Sequence, residues 1–119
     1  MPFGTAIGLG LVLIVAGVIL LVVALRARSG TLPRNWIVGI RTTTTLADDE
    51  AWRRAHDAAG TLVLLAAVGA ILSGIVMLFR PSNGVGLVVV IVGIGWLLFW
   101  VVRGGIVGQR AARDPEAPR

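Results

Sequence analysis

The hydrophobic pattern is one of long runs rather than alternation. Residues 1–25, 58–79 and 81–102 carry no charged side chain, and they hold 25, 22 and 22 residues. At about 1.5 Å per residue, 22 helical residues reach about 33 Å, enough to cross a hydrocarbon core of about 30 Å. In lipid a backbone amide must bond within its own segment or close a barrel, and unbroken apolar runs fit helices better than barrel strands. The pattern predicts an all-α membrane protein with transmembrane helices over residues 4–25, 60–79 and 85–102. Pro81, Ser82, Asn83 and Gly84 form the turn between the last two. The first run begins without basic residues and is too long for a typical signal sequence, so it reads as a retained helix.

Between the first two spans lies a polar segment, residues 26–59. Its first part, 32–45, holds Pro33, Gly39 and four consecutive threonines, which discourage a long helix. Yet Leu32, Trp36, Ile37, Val38 and Ile40 are too apolar for a free loop, so this part should lie on the membrane surface or under the bundle. Its second part predicts an amphipathic helix over 46–60 that leads into the second span. Thr45 and Asp48 have capping-box spacing, and Asp48, Asp49 and Glu50 suit a helix N-terminus. At about 100° per residue, Asp48, Trp52, Ala55, His56 and Ala59 share one face, and Glu50, Arg53, Arg54 and Asp57 share the other. The charged face has the spacing of side-chain pairs worth about 0.2–0.5 kcal/mol each and reads as solvated. The Trp52 and His56 face must meet something.

Composition sharpens this reading. Charged residues make up 14% and hydrophobic ones 56%, where a soluble domain carries about 25% charged residues. Mean hydropathy is +0.90. There is no cysteine, which excludes disulfides, thiolate catalysis and Cys-based metal sites, and the single histidine excludes a His cluster. No cofactor or metal is expected. The net charge of +5 could suggest nucleic acid in a soluble protein; here it is assigned to membrane orientation, with no direct nucleic-acid contact. Ten of eleven basic residues fall in 26–59 and in the segment from Arg103 onward, and Arg80 alone lies in the turn. This predicts a cytoplasmic loop and C-terminus and an external N-terminus. Residues 1–103 then form one membrane domain, and 104–119 a disordered cytoplasmic tail.

Several residues have a plain and a functional reading. Trp36, Trp96 and Trp100 fit the indole layer at the membrane interface and are expected to be anchors. Arg41 can hold a carboxylate or a lipid phosphate through two parallel bonds, or simply pair with headgroups. His56 is first of all a buried hydrogen-bonding residue; its intrinsic pKa near 6.5 leaves a pH-linked role open. An enzyme with His56 and Asp48 or Asp49 as acid and base lacks enough catalytic groups. Small-residue pairs at Ala6 and Gly10, Gly69 and Ser73, and Ala70 and Gly74 suit close helix packing, within one chain or between copies as a homo-oligomer. No span has a central ionisable residue, which argues against an ion path.

The string Asn35-x-x-x-Gly39-Ile40-Arg41-Thr42-x-x-Thr45-Leu46, followed by Trp52-x-x-x-His56-x-x-x-Gly60, resembles the signature of the SdpI family in a short, three-helix form. The resemblance implies a bacterial plasma-membrane protein of the immunity or signalling kind, linked to antimicrobial-peptide resistance. In the founding system the immunity protein receives the toxin signal and holds a repressor at the membrane. Carried over residue by residue, it implies that Asn35, Gly39, Arg41, Thr42, Thr45, Trp52, His56 and Gly60 form a cytoplasmic site for a toxin peptide, a lipid headgroup or a regulator. The alternative is a small oligomeric transporter or an accessory subunit of a membrane complex.

Overall fold

The computed structural model describes residues 2–35 and 39–113. Four helices follow in order: α1 (Phe3–Ser29), α2 (Thr43–Ala47), α3 (Asp49–Leu78) and α4 (Asn83–Arg113). There is no strand among the described residues. The molecule is a rod of 49 × 22 × 21 Å. α3 is its central pillar: α1 and α4 each pack along it and make no substantial contact with one another. The three long helices are apolar enough to cross a membrane, as the uncharged runs require.

Small residues set the helix spacing. A Cβ on Gly10 would stand 2.8 Å from the Gly74 carbonyl, and one on Gly74 would stand 2.6 Å from the Gly10 carbonyl. Ala6, Ala67 and Ala70 are buried in line with these positions. The opposite side of α3 receives α4, with Ser73 against Gly93 and the Trp96 indole over Gly69. All three small-residue pairs are therefore used inside the chain. In lipid, where no hydrophobic drive brings helices together, such close backbone approach is the main packing gain.

Trp96 shows why Gly69 has no side chain. The Trp96 indole N–H donates to the Leu65 carbonyl at 2.7 Å. That carbonyl lies one turn before Gly69, and a Cβ there would fall on the indole. The bond satisfies the ring's one polar atom and ties α4 to α3.

The helix ends follow local chemistry. α1 runs past residue 25 to Ser29, where Gly30 in the left-handed region (φ 74°) lets the Thr31 and Gly30 amides close on Arg26 and Ala27. The α3–α4 turn is tighter than Pro81 to Gly84. Ser82 caps α4, accepting from the Gly86 amide on its carbonyl at 2.7 Å, and Asn83 and Gly84 are already helical. The Arg80 guanidinium lies 5.0 Å from the centre of the Phe3 ring and joins this turn to the start of α1.

Two expectations are corrected. The expected disordered tail over 104–119 is helical as far as Arg113, because Gly104, Gly108, Ala111 and Ala112 present a small buried face to α3 and the loop. The expected disorder of 114–119 lies outside the described residues. The predicted helix over 46–60 is divided at Asp48: its first residues belong to α2, and α3 starts at Asp49 and runs on into the span.

Replacing Gly69 by Ala should destabilise the bundle by about 1–3 kcal/mol, since the new methyl displaces the indole. Gly95→Ala, at a position with open space, should be neutral or slightly stabilising. Thermal unfolding of both variants in detergent checks the pair.

Candidate functional site

The loop between α1 and α3 folds back on the extramembrane ends of α3 and α4. Its centre is Ile40. The Ile40 amide donates to His56 Nε2 at 2.8 Å, and its carbonyl accepts the Thr45 hydroxyl at 2.7 Å. Its side chain packs on a buried cluster of Ala51, Ala55 and Ala112. A Cβ at Gly108 would sit 2.5 Å from the Ile40 side chain, so α4 needs a glycine at this level.

His56 is 4% exposed. Its Nδ1 lies 2.8 Å from the Trp52 carbonyl, which can only accept, so Nδ1 carries the proton. Nε2 must then be the acceptor for Ile40. The two bonds fix a neutral ring in one tautomer. Burial pushes the His56 pKa below its ordinary 6.5, against a smaller opposing pull from the Trp52 carbonyl. Protonation would also set an Nε2 hydrogen against the Ile40 amide.

Trp52 is 3% exposed. Its ring lies 4.2 Å from that of His56 at 32°, and its indole N–H donates to the Leu32 carbonyl at 2.8 Å. Gly39 closes over this pair. Its φ of +108° is a conformation that suits glycine, and a Cβ there would stand 2.5 Å from His56 Nε2 and 3.1 Å from the Trp52 ring. The Trp52 and His56 face of α3 therefore meets the loop itself.

The threonines build α2. Thr42 caps it, accepting from the Thr45 amide at 3.1 Å, while Thr45 Oγ1 accepts from the Thr42 amide at 2.8 Å. This reciprocal pair is a capping box. The box expected between Thr45 and Asp48 is thus displaced by one turn. Asp48 caps α3 separately, accepting from the Ala51 amide at 2.8 Å. Thr45 is fully buried. The Thr42 hydroxyl donates to Gln109 Oε1 at 2.6 Å, and Gln109 Nε2 donates to Thr44 at 3.3 Å. One amide side chain on α4 so holds both ends of a threonine turn.

Arg54 also departs from expectation. Assigned to the solvated face, it instead donates to the Ala111 and Ala112 carbonyls at 3.1 and 2.8 Å. These are among the last carbonyls of α4, where a cation satisfies orphan acceptors and the helix dipole together. Glu50 bonds Arg53 and lies 3.8 Å from Arg54. Arg34 spans from Asp49 at 3.3 Å to the Leu46 carbonyl at 3.3 Å. The exposed pairs among these contribute little to stability.

The remaining predicted residues are less central. Asn35 is half-buried and donates to the Pro33 carbonyl at 2.8 Å. Arg41 is exposed at the rim beside Thr42. Gly60 lies outside the clamp and makes room for the Arg28 stem where α1 meets α3. Trp36 lies outside the described residues. Trp96 spends its N–H on α3, as above. Trp100 stacks edge-on to Trp96 and Phe99 at 5.7 and 5.0 Å, and its N–H is buried without a partner among the described residues.

Sequence reasoning missed Gln109 and Arg54. The spacing of Gly104, Gly108, Ala111 and Ala112 at i, i+4, i+7 and i+8 was the available signal that α4 continues and brings Gln109 inward. Nothing local marked Arg54, whose partners are 57 and 58 residues away.

Chemically, the cluster is a clamp. The lone pair that a general base would use is occupied by the Ile40 amide, and Asp48 and Asp49 are engaged in a cap and an ion pair. These helices define a multi-pass membrane protein. The model of the SdpI/YfhL protein family matches residues 31–103, which takes in the loop, α3 and α4 as far as Arg103. The chain belongs to the SdpI/YfhL family. Neither the curated proteins nor the solved structures yield a match.

Gly39→Ala should cost about 1–3 kcal/mol and expose the Ile40 amide to exchange, since φ and the His56 ring both exclude a methyl there. Hydrogen exchange at that amide checks this. Because the folded His56 pKa lies below the unfolded value, the unfolded state binds more protons below about pH 6.5. Stability should be full above that pH, fall as pH drops below it, and level off once the folded ring also protonates. Chemical unfolding at stepped pH, with His56→Gln as the flat control, reads the sign.

Proposed function

We propose that this chain is a non-enzymatic immunity or signalling protein whose clamped loop presents a preformed binding surface on the cytoplasmic side of a bacterial plasma membrane. The observation that supports this most is how the signature residues are used. His56, Trp52, Thr42 and Thr45 spend their polar atoms on the loop and on Gln109. Groups committed in this way hold a surface in shape; they do not act on a substrate. The exposed side is the rim, formed by Arg41 and the Arg34, Asp49, Glu50 and Arg53 edge. A toxin peptide, a lipid headgroup or a regulator with acidic groups suits that rim. The arginine distribution supports the orientation, ten on the loop and C-terminal side against Arg80 at the opposite end.

The alternative of a small oligomeric transporter rested on the small-residue pairs, which are engaged between α1 and α3 and between α3 and α4. Nothing else in the chain favours it.

In a host sensitive to the cognate peptide, Arg41→Ala should lower protection at matched protein level. Trp52→Ala should lower protection together with stability, and Trp52→Phe should retain the ring contact but lose the Leu32 bond. Survival at matched expression is the measurement. Full protection by both alanine variants would remove the proposal.

A further inference from the structure

α3 and α4 run antiparallel, and contacts fix their register. A Cβ at Gly104 would stand 3.6 Å from the Leu62 side chain and 3.8 Å from that of Ala59, and one at Gly108 would stand 2.9 Å from the Ala55 carbonyl. Arg103 is therefore level with Thr61 and Leu62, and Asp57 with Val107 and Gly108, a little over one turn further out. Between the two helices at this level lies an open groove of about 770 Å³. Its lining is graded along the helix axes. Leu62, Phe99 and Trp100 make the membrane end apolar, Thr61 and Arg103 come next, and Asp57 stands outermost. Asp57 and Arg103 are also where charge begins, since the uncharged runs 58–79 and 81–102 stop at them on the same side. Both are exposed, as is Phe99.

We propose that this groove holds one amine-headed phospholipid of the surrounding bilayer, with its phosphate on Arg103, its ammonium on Asp57 and the first part of a chain along Phe99 and Trp100. The order of groups selects that occupant. Outward from the membrane, such a lipid presents chain, ester, phosphate and amine; the groove presents apolar rings, a hydroxyl, a cation and a carboxylate. The guanidinium suits a phosphate through two parallel hydrogen bonds. A headgroup with a phosphate and no amine would set its negative charge beside Asp57 with nothing to offset it. A quaternary ammonium would bring charge without an N–H to donate. Asp57 has another interaction in the chain, and a carboxylate with about four lone-pair sites still accepts an ammonium. A lipid seated there bridges α3 and α4 just before α4 reaches Gln109 and the threonine turn. The inference does not depend on what the Arg41 rim binds.

The test uses the full chain in phosphatidylcholine vesicles with a minor fraction of one brominated lipid: phosphatidylethanolamine, phosphatidylglycerol or phosphatidylcholine carrying bromine high on one acyl chain. Bromine quenches indole fluorescence on contact, and Trp100→Phe, measured in parallel, isolates the part that comes from the groove. At equal mole fraction, phosphatidylethanolamine should quench that part most, with a binding constant about fivefold above the other two, the contribution of one charge pair at a membrane surface. Asp57→Asn should abolish the preference over phosphatidylcholine. Arg103→Gln should lower the phosphatidylethanolamine binding constant about fivefold, while circular dichroism shows the helices of both variants intact. Equal quenching by the three lipids, stronger quenching by phosphatidylglycerol, or a preference that survives Asp57→Asn would overturn the proposal. So would quenching that falls as the protein-to-lipid ratio rises, which would place a second copy in the groove.

Discussion

The extramembrane architecture depends on one buried imidazole that joins two backbone groups twelve residues apart, the Ile40 amide and the Trp52 carbonyl. His56 donates to a carbonyl in its own helix and accepts from the Ile40 amide. A buried amide without a partner costs about 1–3 kcal/mol, so the loop has one position in which Ile40 can be buried at all. Everything nearby follows from that constraint. Gly39 must be glycine to let the chain pass over the ring. Thr45 must carry a hydroxyl to satisfy the carbonyl on the other side of Ile40. Trp52 must stack on the ring to keep water from its two bonds.

The membrane part supplies the platform. α3 is a single helix from the loop to the far turn, so the face that carries His56 is rigidly continuous with the face that packs in lipid. Glycine contacts on both sides of α3 fix where α1 and α4 stand. The extension of α4 to Arg113 then becomes intelligible: it brings Gln109 to the threonine turn and its own last carbonyls to Arg54. The described part of the loop is held by α3 and α4.

Much of this was legible in the sequence, for reasons of scale. Uncharged runs of 22 and 25 residues admit few folds, and the helical spacing of Trp52, His56 and Ala59 announced a face in need of a partner. What could not be read was where partners come from far along the chain. Arg54 had the spacing of an ordinary surface pair with Glu50, and only the tertiary fold places it on α4. By sequence, Thr45 has the spacing of a helix cap because Asp48 follows at the right interval. In the structure Thr42 competes successfully for that role, since Thr45 is drawn inward to Ile40. The C-terminal segment was read as a tail because its arginines mask a small-residue face that needs no apolar bulk to pack.

The family assignment and the clamp give one account of the chain: a lipid-embedded bundle holding a preshaped loop. Its central claim is that His56 is neutral, protonated at Nδ1 and accepting at Nε2. Because the chain has one histidine, nitrogen NMR of its ring in detergent or bilayers reads this without assignment. The account predicts a protonated Nδ1, an unprotonated Nε2 coupled to the Ile40 amide, and titration below the ordinary histidine range. An Nε2-protonated ring, or one that titrates at or above 6.5 with no bond to Ile40, would contradict it.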